Sequence, residues 1–267
     1  MSGGLRWFLT FVGALVVGFI ALAIYLGPNV LAFVFHEGRR TEPFVMVHLL
    51  ELANPSDTSH TASEIADTAF GLGKDEGKLV WSARVDAISE GTLHQQWTTL
   101  ALVRYPSRAA YIDLVTGSEY RAAGKLRTQL IARSAMLVAT PVAPIGDDIH
   151  ATELRYAARF LRFGSDRATE RYLAEWLQQD VAVVKQHRGT VSWEARLDPL
   201  VGEQDARYDH VLIAGFPDNT ALEEWSNDPQ RATLQTLERR MMDAELVVLL
   251  TPERRDVLPE PAQRSDS

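Results

Sequence analysis

Gly77-Lys78-Leu79-Val80-Trp81-Ser82-Ala83-Arg84-Val85-Asp86 returns as Gly189-Thr190-Val191-Ser192-Trp193-Glu194-Ala195-Arg196-Leu197-Asp198, with Gly, Trp, Ala, Arg and Asp identical at a constant offset of 112. After a slip of one residue the correspondence continues at offset 111. Tyr105-Pro106-Ser107 answers to Phe216-Pro217-Asp218, and Ala139-Thr140-Pro141 to Leu250-Thr251-Pro252. Self-similarity at a fixed period marks a duplicated structural unit. Within each decamer Trp and Ala alternate on one face, with Arg and Asp on the other, which is the period of a β-strand.

Working outward from the first copy, Phe44–Leu52 is an apolar run of strand length, covered on both faces. A weak helix over Ala62–Phe70 follows the turn at Asn54-Pro55-Ser56-Asp57. Lys78–Asp86 and Trp97–Tyr105 are strands joined by a polar connection. Pro106-Ser107 caps a helical region from Arg108 to about Ser134, broken near Thr116-Gly117, and Ala135–Ala139 closes the unit. The second copy repeats the order. Glu153–Phe163 is a strand, and an amphipathic helix follows with Tyr172, Leu173, Trp176, Leu177, Val181 and Val184 on one face. Thr190–Asp198 and Tyr208–Phe216 are strands, Asp218 is an N-cap for a helical stretch to Ala244, and Glu245–Leu250 closes.

Each unit therefore reads β-α-β-β-α-β, the ferredoxin-like order. One such sheet is bare on one face, and two copies in one chain can press their bare faces together. The expected organisation is an anchor and linker over 1–42, unit 1 over 43–142, unit 2 over 149–253, and a disordered, charge-rich tail over 254–267.

That body resembles the dimeric α+β barrel superfamily, with the usual homodimer fused into one chain. A closer resemblance lies in Gly117-Ser118-Glu119-Tyr120-Arg121-Ala122-Ala123-Gly124-Lys125-Leu126-Arg127. It is similar to the Ser-x-Glu-Tyr…Arg helix start of small uncharacterised bacterial barrel proteins, in which Tyr and Arg stand seven residues apart after a strand ending in Phe-Pro-Ser. Unit 2 departs from it, with Arg231 at the Tyr position and Glu238 at the Arg position. The resemblance implies that a ligand served by this motif would be held by unit 1 alone.

The N-terminus has a different composition. Trp7–Leu26 carries no charge over 20 residues, long enough at 1.5 Å per residue to span a hydrocarbon core of about 30 Å. Gly27-Pro28-Asn29 ends the helix. The length of the run, and the absence of a small-x-small cleavage site after it, favour an uncleaved anchor over a signal peptide. The expectation is a single-pass inner-membrane protein. Arg6 on one side and Arg39-Arg40 on the other leave the orientation nearly undecided, with a lean to a periplasmic body.

Composition excludes several classes. There is no cysteine among the 267 residues, which removes disulfides, thiolate nucleophiles and cysteine metal sites. A net charge of −8 argues against a nucleic-acid partner. None of the seven histidines falls in H-x-x-x-H, H-E-x-x-H or H-x-H spacing, so no metal site is expected and no cofactor is assigned. The G-x-S-x-G, P-loop and G-x-G-x-x-G patterns are absent.

The candidate ligand residues are Tyr120, Arg127, His48, Trp81 and Arg84. Tyr120 and Arg127 lie two helical turns apart on about one face, where a phenol and a guanidinium suit a carboxylate or enolate. His48, in an apolar strand, is either a base or haem ligand of the kind related barrels use, or a hydrogen-bonded core residue. Trp81 (with Trp193) is a ligand wall or core filling, and packing is favoured because both copies keep it. Arg84 with Asp86 is an anion site or a plain ion pair. The leading expectation is a membrane-anchored small-molecule-binding or scaffold protein with a monomeric body and a small apolar or weakly acidic ligand. The alternative, by analogy of fold, is an enzyme of cofactor-independent monooxygenase, isomerase or haem-processing type.

Overall fold

The computed structural model describes residues 41–54, 77–90, 96–142, 145, 147–201, 207–240 and 242–253. The Trp7–Leu26 span, the Ala62–Phe70 helix and the tail lie outside them. Among the described residues no helix is long and apolar enough to cross a membrane.

Among the described residues there are eight strands: β1 (Phe44–Leu52), β2 (Lys78–Glu90), β3 (Thr99–Tyr105), β4 (Ile131–Pro141), β5 (Arg155–Phe163), β6 (Thr190–Val201), β7 (His210–Phe216) and β8 (Met242–Pro252). They close into one barrel in the order β1-β3-β2-β8-β5-β7-β6-β4. Within each half the order 4-1-3-2 is that of a ferredoxin-like sheet. The halves do more than press faces together. Their edges are hydrogen-bonded along two antiparallel seams, β2 with β8 (Arg84 opposite Thr251) and β4 with β6 (Thr140 opposite Arg196). Closure leaves none of these eight strands with a free edge to template aggregation.

Alternation along the strands then sorts side chains between lumen and outer face. Val45, Val47 and Leu49 of β1, Trp81 and Ala83 of β2, and Trp193, Ala195 and Leu197 of β6 belong to a single cluster to which all eight strands contribute. The two tryptophans of the repeat thus fill the barrel, as the packing reading has it. Trp81 meets Tyr156 edge to face, with ring centroids 5.4 Å apart. The repeat's glycine is explained at Gly189, where a Cβ would lie 2.7 Å from the Phe216 ring and 2.9 Å from the Val184 carbonyl oxygen. There the preceding helix approaches β6 too closely for any side chain.

The opposite face of each sheet carries the helices. Unit 1 has α1 (Arg108–Thr116), α2 (Ser118–Ala122) and α3 (Gly124–Leu130); unit 2 has α4 (Asp166–Glu175), α5 (Leu177–Gln186), α6 (Asn219–Ser226) and α7 (Pro229–Glu238). Ser107, Ser165 and Asp218 cap α1, α4 and α6 by accepting the backbone N–H three residues on, which satisfies one of the four orphan donors at each helix start. The helical regions read from sequence are each divided, the first of them at the expected place near Thr116-Gly117. Gly117 and Ala123 interrupt the first, and Asn227-Asp228-Pro229 the last, where Asp228 Oδ1 accepts from the N–H groups of Gln230 and Arg231 and restarts the helix. Closing strands are longer than expected, because β4 and β8 must reach partners on both sides, Leu52 pairing Ile131 and Phe163 pairing Met242.

Candidate functional site

Strand β1 turns Phe44, Met46, His48 and Leu50 toward the unit-1 helices, and α1 sends Tyr111 and Leu114 down onto that face. Tyr105, at the end of β3, stacks on Phe44 at 5.4 Å and meets Tyr111 edge-on at 5.0 Å. The Tyr111 hydroxyl reaches the Met136 sulfur at 3.7 Å, and Met136 is the register partner of His48 across β1 and β4. Tyr120 on α2 packs against this cluster. The Arg127 guanidinium on α3 lies flat over the Tyr120 ring, 3.6 Å from its centroid, a cation–π contact worth about 0.5–2 kcal/mol.

The electrostatics of this face run one way. Burial raises the Tyr105, Tyr111 and Tyr120 phenols above their ordinary value, with Arg127 opposing the rise at Tyr111 and Tyr120. All three therefore keep their protons at neutral pH. His48 is wholly enclosed, and burial pushes its imidazole down to about 3, so it is neutral and presents a ring N–H. Arg127 supplies a permanent charge. Its Nη1 is buried with no hydrogen-bond acceptor among the described residues. Leaving such a donor unmet costs about 1–3 kcal/mol, more for a charged group. A buried guanidinium nitrogen without an acceptor, beside the Tyr120 ring, is what a carboxylate or enolate would complete.

Tyr120 and Arg127 are thus in contact and His48 shares their sheet face. The other two candidates lie elsewhere. Trp81 points into the lumen. Arg84 is exposed at the β2–β8 seam, where its Nε and Nη2 both donate to Asp86 Oδ1 at 3.1 and 3.0 Å, and Asp86 accepts in turn from Thr251. That is the ion pair of the plainer reading. Arg196, its counterpart, goes to Glu170 at 2.8 Å instead of to Asp198.

Unit 2 shows what fills the equivalent place when the motif is gone. Position 159 is position 48 shifted by 111, and there Arg159 stands, 3% exposed. Its Nη1 donates to Asp180, its Nη2 to Glu238, and its Nε to Glu245 Oε1 at 2.5 Å. The Tyr172 hydroxyl donates to Asp180 Oδ2 at 2.5 Å. Burial alone would lower the Arg159 pKa, but the carboxylates, Asp180 foremost, hold the guanidinium charged. Glu238 occupies the Arg127 position, and Arg231, at the Tyr120 position, lies over Trp225 at 4.3 Å. The unit-2 face thus carries an arginine surrounded by three carboxylates, whereas the unit-1 face carries Arg127 over the Tyr120 ring.

Reading residues one at a time misses Tyr105, Tyr111 and the Arg159 cluster. The signal was available in the 111-residue offset: Phe216 and Leu222 stand where unit 1 has Tyr105 and Tyr111, and Arg159 where it has His48. Among the described residues no group of His, Asp or Glu is arranged to hold a metal ion.

No protein-family profile matches the chain, and no curated protein is significantly similar to it. Solved structures do match. An anthrone oxidase-like protein superposes with a TM-score of 0.52 at 8% identity, over 82% of this chain and 94% of that one. A chlorite dismutase from Candidatus Nitrospira defluvii gives 0.43 at 9% identity, over 84% and 95%. A protein of unknown function from Rhodopseudomonas palustris gives 0.34 at 24% identity, over 45% of this chain and 98% of its own. The first of these likenesses is one of fold alone.

Proposed function

We propose that this chain is a small-molecule-binding protein whose one ligand seat lies between the unit-1 sheet and helices α1–α3, and that the ligand has an acidic head and an apolar, planar body. The observation that carries this is the buried Arg127 Nη1 without an acceptor, set against a unit-2 counterpart whose partner is built in. An anionic head would take the Arg127 fork and the neighbouring phenols. The ring cluster of Phe44, Tyr105 and Tyr111 would receive the body. Binding is favoured over acid–base catalysis because an imidazole held near 3 is a poor proton acceptor at neutral pH. The Trp7–Leu26 segment would tether the body to a membrane and keep an apolar ligand within reach of the bilayer.

The test is native mass spectrometry of the full chain for a retained small molecule. One ligand per chain is expected, with occupancy lost in Arg127→Ala, reduced in Tyr120→Phe, and unchanged in Glu238→Gln, melting temperature serving as the folding control. Two ligands per chain, or equal loss from the unit-2 variant, would show the one-seat reading to be wrong. A Soret band in the purified protein would replace it with a haem-processing one.

A further inference from the structure

The three carboxylates around Arg159 come from three separate elements, α5, α7 and β8, and little of any of them reaches water. The Glu238 side chain is 0% exposed, and those of Asp180 and Glu245 are each 8% exposed. If every acid were ionised the cluster would hold one positive and three negative charges, an excess of two. An uncompensated charge in such surroundings costs several kcal/mol. The cheapest remedy is a proton on one of the acids, and the hydrogen bonds say which. Asp180 is supported by Arg159 and by the Tyr172 hydroxyl. Glu245 accepts from Arg159 and, at 3.5 Å, from Gln235 Nε2. Glu238 receives only Arg159 Nη2 on Oε2, and its Oε1 is buried with no partner among the described residues.

From this geometry we infer that Glu238 is a proton-operated latch: protonated, it lets the end of α7 seat on the unit-2 sheet, and losing its proton releases that end. The groups facing it are Arg159 from β5, Asp180 from α5, Glu245 from β8 and Tyr172 from α4. Beyond Tyr172, in edge-to-face contact with its ring, stands His210 of β7, held to Glu194 of β6 at 3.1 Å. Burial, with Asp180 and Glu245 pushing the same way and Arg159 opposing, raises Glu238 from the ordinary 4.5 to about 7. The folded pKa is raised, so the stabilisation is complete below about 4.5 and is lost as pH rises through about 7. Helix α7 is where the loss would be felt, because Glu238 is its last residue and Arg239 and Arg240, just beyond, are exposed.

Two measurements on the full chain test this. Infrared spectroscopy should show the carbonyl stretch of a protonated carboxylic acid below about pH 7, fading above it, with the pH-dependent part missing in Glu238→Gln. Hydrogen exchange of the α7 amides, corrected for intrinsic chemistry, should lose protection as pH rises toward 7, by at most about tenfold per pH unit, and then level off. In Glu238→Gln, a neutral stand-in for the protonated acid, the same amides should stay protected across the range. A wild-type protein with no carboxylic-acid band on the acid side, or α7 protection with the same pH dependence in both proteins, overturns the inference.

Discussion

Positions 48 and 159 stand at the same point of the two sheets, and one residue type decides the character of each face. An imidazole there can be buried neutral at the price of its basicity. A guanidinium cannot shed its charge, and so recruits acids from wherever the fold brings them. Arg159 draws on residues 21, 79 and 86 positions away, which is why the middle one of three arginines in the strand gives no local hint of its burial. Arg159→Leu should therefore cost about 3–5 kcal/mol, since it leaves buried acids without their cation; chemical denaturation measures it. His48→Phe should cost far less, and comparable losses at both positions would contradict the asymmetry. The tryptophans of the repeat were legible for the opposite reason, that packing conserved in both copies shows in the sequence itself. Trp193→Ala should cost about 3–5 kcal/mol. Trp193→Phe should cost much less, because the indole N–H it removes has no acceptor among the described residues.

Helix boundaries are decided by small local devices and only partly by hydrophobic period. The break expected near Thr116-Gly117 is announced by the glycine itself, and there the Gly117 N–H bonds back to the Leu114 carbonyl. A period of 3.6 cannot report the second break at Ala123, and strand pairing at Ile131 ends the helices sooner than the pattern suggests. In unit 2 the corresponding junction carries a titratable tie. His187 at the end of α5 lies with Nε2 2.6 Å from Asp228 Oδ2 at the start of α7. That hydrogen bond, more than the backbone N–H donors of Gln230 and Arg231, holds the Asp228 carboxyl below its usual 3.8. A depressed folded pKa means stability that is present above about 3.8 and lost as pH falls through the lower folded value. Asp228→Asn keeps a capping side chain but gives up the charge. It should melt below wild type near neutral pH, and the gap should close as the solution is acidified. A gap unchanged at low pH would remove the Asp228 charge from the account.

The whole molecule depends on the two seams that turn two sheets into one barrel. Each half-sheet alone would expose one wall of the lumen: Trp81, Leu100 and Leu102 from unit 1, Trp193, Val211 and Ile213 from unit 2. It would also leave two free strand edges, and an exposed edge beside an apolar face is a site for pairing with another copy. In the intact chain both hazards are met internally. Unit 2 covers the wall of unit 1, β8 occupies the edge of β2, and β6 that of β4. The hydrogen bond from Thr251 to Asp86 joins positions 165 residues apart, so the last strand must arrive before the first seam can close. The repeat made two units readable from sequence and the bare sheet faces made their association readable. Edge pairing was not legible, because ladder bonds involve backbone groups that every residue carries. Residues 43–253 expressed without the N-terminal segment should accordingly be monomeric by sedimentation across the micromolar range, whereas residues 43–142 alone should self-associate through the uncovered lumen wall and edges. A monomeric, folded single unit would mean that the lumen wall does not need its partner. An obligate dimer of the two-unit body would mean that the second copy is not serving as the first copy's other half.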